Sequence, residues 1–273
     1  MGCKRLSFEQ KYPTDRRAAK RKNSHCKLSS NAYIRIMPRR ASFHGKNQEG
    51  FSLTELLVGI VIGGLMVGLA TPAVQGALEK SKQSKDLSNL RQIGQGVMLF
   101  AGENDGRLPP TSCQAETQEE LELSWIYSLR TYLGQNYDDL RLSPSDPHRE
   151  IRRKFKNTSY LINDEVDPVM LNGQPGSLAQ VQRIENPSKR ILLFLASDSK
   201  NPRGQEDHIH GSNLRSWSRL LGEIKPDAYR GSKADRAAGS SPYLFAGGHV
   251  EMIPAARIKQ MADSGKNIAK DAL

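Results

Sequence analysis

The pair His208 and His210, separated by one residue, is the first candidate in this sequence for a site that performs chemistry. Imidazole nitrogens bind transition metals, and Asp198, Asp207 and His249 offer further ligand types. Two histidines at i and i+2 point to one side only on a β-strand, and the surrounding sequence is typical of a polar loop. His208, His210 and His249 are therefore weak metal candidates, and we predict no metal and no cofactor.

The sequence lacks the short motifs that mark common active sites. It contains no HExxH, no GxSxG, no GxxxxGK[ST] and no dinucleotide fingerprint. Its three cysteines have neither the CxxC nor the Cys/His spacing of zinc sites. We therefore predict that the protein is not an enzyme.

Glu55 stands at the edge of a long apolar segment. Residues 56–78 carry no charge over 23 positions; as a helix they would measure about 35 Å, against a hydrocarbon core of about 30 Å. A buried core helix rarely lacks charge for so long, and a cleaved secretory signal has an apolar region of only about 7–15 residues. The segment predicts one transmembrane helix. A carboxylate there costs about 2.5–3.5 kcal/mol on insertion scales, so Glu55 should have a partner or a function.

The residues around the start of this segment read KNQEGFSLTELLV. A basic, polar leader ends in Gly50, Phe51 follows, and Glu55 comes four residues later. This pattern closely resembles the class III signal of type IV prepilins and of the related pseudopilins of type II secretion systems. Ser52 and Thr54 stand where the commonest form of the family has Thr and Ile.

The resemblance implies processing and assembly. In that family a prepilin peptidase cuts after the glycine, here between Gly50 and Phe51, and methylates the new N-terminus. The amine of an incoming subunit then pairs with the glutamate of a neighbour in the filament, so Glu55 would set the register. Pro72, the 22nd residue after the cut, is a position where the family often has proline, and it should kink or locally melt the helix. The alternatives are that Glu55 is merely an acid at the membrane interface and that the kink at Pro72 has no role.

Two later segments add to the resemblance. Residues 88–95 (SNLRQIGQ) and 104–110 (NDGRLPP) look like pseudopilin-like proteins of Planctomycetes and Verrucomicrobia, related to the major subunit of the type II pseudopilus. That group often ends in a Phe-Ala-Asp-Gly-His-Val-like hairpin, and Gly247 replaces the Asp here.

The leader carries nearly all of the net charge. Residues 1–50 contain 13 Lys and Arg against 3 Asp and Glu, whereas residues 51–273 contain 27 and 26. The positive leader is expected to stay in the cytoplasm, and the nearly neutral remainder argues against a nucleic-acid partner. Met37 offers an alternative start with a leader of ordinary length, in which case residues 1–36 come from a misplaced start codon.

Periodicity outlines the remaining elements. The long helix should end at the Asn104-Asp105-Gly106 stop signal, and an apolar stripe on its second half should pack on a globular head. The stripe consists of Leu87, Leu90, Gly94, Val97 and Ala101. Thr117 and Glu120 have capping-box spacing and precede a helix predicted to end at Gly134.

The last third predicts strands. Residues 159–162 form a short candidate strand, residues 190–196 are a nearly continuous apolar run, and residues 243–253 are typical of a hairpin on a two-residue Gly247-Gly248 turn. Residues 198–240 are predicted to be a loop, and Pro254 suits the first position of a terminal helix.

The resulting prediction is an α+β, pilin-like fold in which a long N-terminal transmembrane and spine helix packs on a small antiparallel β-sheet head. The domains are a leader (1–50), the helix (51–104, membrane segment 56–78) and a periplasmic head (105–273). The protein would be a single-pass inner-membrane subunit of a type II secretion pseudopilus or a type IV pilus-like filament. Its partners would be prepilin peptidase, other pilin or pseudopilin subunits in a homo- or hetero-filament, and the inner-membrane assembly platform. The alternative is a membrane-tethered periplasmic head that binds metal or sugar through His208, His210 and His249.

Overall fold

The computed structural model describes residues 50–113, 115, 117–168 and 178–271. The predictions about the leader, including the Met37 start, lie outside these residues. The chain divides into two compact units between Thr71 and Pro72. The short helices and the sheet belong to the unit that begins at Pro72.

The long helix α1 comprises Leu53–Glu103, 51 residues. It ends where the sequence predicts, because Asp105 and Gly106 adopt left-handed backbone conformations with φ of 54° and 74°. The Gly106 amide donates to the Ala101 carbonyl at 2.8 Å, which closes the last turn. Burial along α1 begins at Asp86 and continues along one face to Ala101.

Short helices follow α1. They are α2 (Gln118–Leu121), α3 (Trp125–Ser128), α4 (Arg130–Leu133), α5 (Tyr137–Leu140) and α6 (Arg149–Lys154). The predicted capping box is present, with Glu120 N donating to Thr117 Oγ1 at 3.2 Å and Thr117 N donating to Glu120 Oε2 at 3.1 Å. The single helix predicted to reach Gly134 is wrong, because α2, α3 and α4 are separate turns. The Trp125 amide donates to the Pro110 carbonyl at 2.7 Å, outside the helix, which interrupts the ladder.

The described strands form one five-stranded sheet in the order β3-β1-β2-β4-β5. Its strands are β1 (Tyr160–Asn163), β2 (Ile191–Leu195), β3 (His208–Ile209), β4 (Ser240–Phe245) and β5 (Val250–Pro254). All neighbouring pairs are antiparallel except β1 and β3, which are parallel. The α+β class with a long helix and a small sheet is therefore confirmed, and the sheet is mixed rather than wholly antiparallel.

Three local predictions need correction. Residues 198–240 are not one loop, because they contain β3 and the helix α7 (Trp217–Glu223). The β4–β5 connection is longer than a two-residue turn, since the Phe245 amide donates to the His249 carbonyl across three residues, 246–248, and Gly248 carries the positive φ. Pro254 ends β5 and caps the last helix α8 (Ala255–Asp263) instead of opening it.

Both faces of the sheet are buried, which explains the nearly continuous apolar run in β2. On one face, Leu90, Ile93 and Val97 of α1 pack with alternate side chains of the strands, Leu244 among them. On the other face, α7, α8 and the segment around Ile268 form a second core. Because successive side chains of a strand point to opposite faces, β2 supplies residues to both cores. At the register shift between Ile191 and Leu193, the neighbours Leu192 and Leu193 belong to the same core.

Candidate functional site: the two polar ends of the exposed helix

The N-terminal end of α1 is closed by a capping box formed by Ser52 and Glu55. The Glu55 amide donates to Ser52 Oγ at 3.2 Å, and the Ser52 amide donates to Glu55 Oε2 at 2.9 Å. This reciprocal pair satisfies two backbone donors that a helix start leaves unpaired, and it places the carboxylate at the positive end of the helix dipole. Phe51, directly before the cap, is 88% exposed.

The capping role of Glu55 was missed in the sequence reasoning, which considered only the membrane cost and the pilin resemblance. The signal was present, because Ser-x-x-Glu before an apolar run is the capping-box pattern. The predicted processing residues Gly50 and Phe51 lie immediately before this cap. Their geometry leaves the peptide bond between them outside the helix, which begins at Leu53.

The apolar segment of α1 is exposed over its whole length. All residues from Gly50 to Leu78 are exposed in the described chain, and α1 is the described helix that is long and apolar enough to cross a membrane. Helical assignment continues through Pro72. Thr71, just before it, donates its hydroxyl to the Val67 carbonyl at 2.7 Å, a bond typical of apolar surroundings. The kink expected at Pro72 stays a prediction.

A buried carboxylate marks the point where α1 enters the head. Asp86 is fully buried and accepts hydrogen bonds from the hydroxyls of Tyr160 and Tyr229, from Ser143 Oγ at 2.8 Å and from Ser145 Oγ at 3.3 Å. Burial raises the pKa of the Asp86 carboxyl above its ordinary range and outweighs the four hydroxyl donors, which lower it. The arrangement joins one helix position to three separate parts of the head.

Two neighbouring contacts extend this junction. Asn89, one turn along α1, donates from Nδ2 to the Leu142 carbonyl and to the Tyr160 hydroxyl, both at 3.3 Å. Glu79, two turns before Asp86, accepts a hydrogen bond at 2.6 Å from the amide of Arg230. Polar contacts to the head therefore begin one residue after the apolar segment ends.

The two histidines of the weak metal candidate lie close together: His208 lies on a strand rather than the expected loop, and His210 directly follows that strand. His208 is buried in β3, its Nδ1 lies 3.0 Å from Asp207 Oδ1, and its ring meets that of His210 edge-to-face at 5.0 Å. His210 Nε2 lies 3.4 Å from Glu206 Oε1. Burial of Glu206 raises its pKa, but the hydrogen bond to His210 and the Lys200 charge outweigh burial and bring it to about 2.

The remaining candidates lie elsewhere. His249 is exposed and stacks on Phe245 at 4.4 Å, in the connection after β4, three strand spacings or about 14 Å from β3. Asp198 forms an ion pair with Lys225 at 2.8 Å. Within the described residues, no group of three or more His, Cys, Asp or Glu is arranged to hold a metal ion.

Comparison with known proteins identifies one motif. A family model described as the prokaryotic N-terminal methylation motif matches residues 45–71, which include Gly50, Phe51, Glu55 and the first part of the apolar segment. Searches of curated proteins and of solved structures returned no match. The motif supports a type IV pilin-like protein, a structural subunit anchored in a membrane by one helix. A type IV pilin-like motif implies, in general terms, peptidase processing and assembly with other subunits.

Proposed function

We propose that this chain is a structural subunit of a type II secretion pseudopilus or a type IV pilus-like filament. Residues 56–78 would cross the inner membrane once, with the leader in the cytoplasm and the head, residues 105–273, in the periplasm. Prepilin peptidase would cut between Gly50 and Phe51 and methylate the new N-terminus. The subunit would then be drawn by the assembly platform into a filament with other pilin or pseudopilin subunits.

One observation carries this proposal: the methylation motif matched at residues 45–71 leads directly into an apolar helix that remains fully exposed. Exposure of 23 consecutive uncharged positions is stable only when lipid or other apolar helices surround them. A pilin-like subunit uses both environments in turn, the membrane before assembly and neighbouring helices afterwards. Nothing in the arrangement of the three histidines favours the metal- or sugar-binding alternative.

Mass spectrometry of the N-terminal peptide tests the processing step. Protein recovered from membranes of the native host should begin at N-methylated Phe51. Gly50→Val should block the cut, because prepilin peptidase cuts after glycine, while Gly45→Val serves as a matched control in the same leader. In a host lacking the peptidase, the leader should remain attached. An intact leader in the wild-type host, or a cut at another bond, would contradict the proposal.

The capping box allows the charge of Glu55 to be separated from its backbone contact. Glu55→Gln retains the carbonyl that accepts the Ser52 amide, because Gln also forms capping boxes, but it removes the charge. Ser52→Ala removes the hydroxyl acceptor and retains the charge. If Glu55 pairs with the amine of an incoming Phe51, Glu55→Gln should abolish filaments and Ser52→Ala should preserve them.

Filaments counted by electron microscopy, at equal subunit abundance in the membrane, give the readout. If Glu55→Gln assembles normally and Ser52→Ala fails to assemble, the role of Glu55 is helix capping. That outcome would remove the register role from the proposal.

A further inference from the structure

A group of exposed basic side chains follows the apolar segment on its head side. Lys80, Lys82 and Lys85 are exposed on α1, within seven residues of Leu78, and this stretch presents no exposed acid. At 1.5 Å per residue they lie about 3–10 Å beyond the apolar segment. The polar headgroup layer is about 5–8 Å thick on each side of the hydrocarbon core. Membrane insertion of residues 56–78 therefore places Lys80 and Lys82 in the headgroup layer and Lys85 at its outer edge, from which its long side chain can reach back to the headgroups.

A loop of the head adds two further cations at the same level of the helix. Arg230 and Lys233 are exposed, and the Arg230 amide donates to Glu79 Oε1 at 2.6 Å. Arg230 has a φ of 54°, a left-handed conformation that is unfavourable for a residue other than glycine and persists only where the surroundings fix it. An ion pair between Arg236 and Asp227 holds the other end of the loop. The loop is thus fixed beside the first residue after the apolar segment.

We propose that these five residues, here called the basic collar (Lys80, Lys82, Lys85, Arg230 and Lys233), bind anionic phospholipid headgroups such as phosphatidylglycerol in the leaflet that faces the head. The proposal rests on the membrane insertion in the proposed function. The collar would hold the head at a defined height above the membrane before assembly.

The acids near the collar leave it with a net positive charge. Asp86 is buried among four hydroxyls, and Asp139, close enough to Lys85 for its charge to be felt, is paired with Arg153 at 2.9 Å and with Arg149 at 3.2 Å. Glu79 accepts the Arg230 amide, and Asp235 is exposed in the loop. Five cations against these two acids leave a net positive charge that phosphate groups can neutralise, worth up to about five-fold in affinity per basic residue at a membrane surface.

The direction of the three lysines favours lipid over a protein partner. Taking Lys80 as zero, Lys85 projects at about 140° and Lys82 at about 200° around a helix of 3.6 residues per turn. One flat protein surface contacts only part of such an arc, whereas headgroups surround a single membrane helix on every side that the head leaves open.

Lipid selectivity of the chain tests the collar. The chain, prepared to begin at Phe51 so that the basic leader does not contribute, is reconstituted in phosphatidylcholine vesicles, and only vesicles that retain it after an alkaline wash are used. Spin-labelled phosphatidylglycerol or phosphatidylcholine is added in trace amounts, and the motionally restricted fraction of each is measured at low salt. The variant Lys80→Gln/Lys82→Gln/Lys85→Gln should lose at least half of the wild-type preference for phosphatidylglycerol. The matched control is Lys154→Gln/Lys259→Gln/Lys266→Gln, which removes the same charge outside the collar and should retain the preference.

Acylation of lysines on the wild-type protein gives a second readout that needs no variant. Lys80, Lys82, Lys85 and Lys233 should become at least about three-fold less reactive when phosphatidylglycerol is added, and the protection should vanish in 0.5 M salt, where the Debye length is about 4 Å. Equal protection of the lysines in both lipids would indicate contact with another protein copy and would overturn the proposal. A collar variant that retained the full wild-type preference for phosphatidylglycerol would also overturn it. Loss of the chain in the alkaline wash would instead refute the membrane span and the proposed function.

Discussion

Replacing Asp86 by Ala should strongly destabilise the head. The change removes the acceptor of two tyrosine hydroxyls, those of Tyr160 and Tyr229. The two tyrosines are only 0% and 2% exposed. A buried donor without an acceptor costs about 1–3 kcal/mol, so the two hydroxyls together cost about 2–6 kcal/mol. For a head with a urea m-value of about 2 kcal/mol/M, the unfolding midpoint should fall by about 1–3 M.

Tryptophan fluorescence of the full chain in detergent micelles measures this effect, since both tryptophans, Trp125 and Trp217, lie in the head. Asp263→Ala, which removes a half-exposed acid from α8, is the control and should shift the midpoint by less than about 0.3 M. Adding Tyr160→Phe and Tyr229→Phe to Asp86→Ala removes the stranded donors, so the triple variant should be more stable than the single one. A fall below about 0.5 M for Asp86→Ala, or a triple variant that is less stable than the single one, would refute the reasoning.

Three further outcomes are expected from the same assay. Because the folded pKa of Asp86 is raised, the folded chain holds a proton that the unfolded chain has released. The free energy of unfolding therefore falls as pH rises from about 4 towards the folded pKa. Asp86→Asn lacks this slope, and a stability difference between wild type and Asp86→Asn that is constant or grows with pH would contradict the reasoning. Gly94→Ala should lower the free energy of unfolding by about 1–2 kcal/mol, since its Cβ would lie 2.8 Å from a buried leucine of β4. Gly102→Ala, with open space around it, should raise this free energy by up to about 1 kcal/mol, and equal effects of the two changes would contradict the packing argument. Arg152→Leu leaves a buried carboxylate without its ion-pair partner and should lower the free energy of unfolding by about 3–5 kcal/mol. The neighbouring Arg153→Leu removes one partner of a half-exposed pair and should lower it by less than about 1 kcal/mol. Similar losses in the two variants would show that burial does not decide the cost.

The sequence predicted the elements whose periodicity is strong and local. The end of α1, the Thr117 capping box and the strands β1, β2, β4 and β5 follow from apolar spacing and turn residues. The strand β3 has two residues, too few for any period, and its place beside β1 is set by tertiary pairing. The broken helix before Gly134 depended on the amide of Trp125 finding an acceptor outside the helix, which spacing alone does not reveal.

The N-terminal motif was easier to predict from the sequence than the polar contacts of the interior. Gly50, Phe51 and Glu55 are consecutive signals at a sharp change from basic to apolar sequence, and the matched motif covers them. Asp86 gave no comparable signal, because one acid among Lys82, Lys85 and Ser88 is typical of a solvated helix surface. Its acceptor role depends on hydroxyls 57 to 143 residues away, which only the folded chain brings together.

Asp86 and Gly94 together explain how the head takes one position on a helix whose apolar stripe repeats every three or four residues. If α1 slid so that Val97 took the place of Ile93, Met98 would take the place of Gly94, where even a Cβ would lie 2.8 Å from a buried leucine of β4. The same slide would place Leu90 against the hydroxyls that now face Asp86. The opposite slide would place Lys82 there and would bury the Asp86 carboxylate in the apolar place of Leu90. Because stranded buried donors and an unpaired buried carboxylate are both costly, the polar cluster and the close packing at Gly94 fix the register, while the apolar stripe supplies stability.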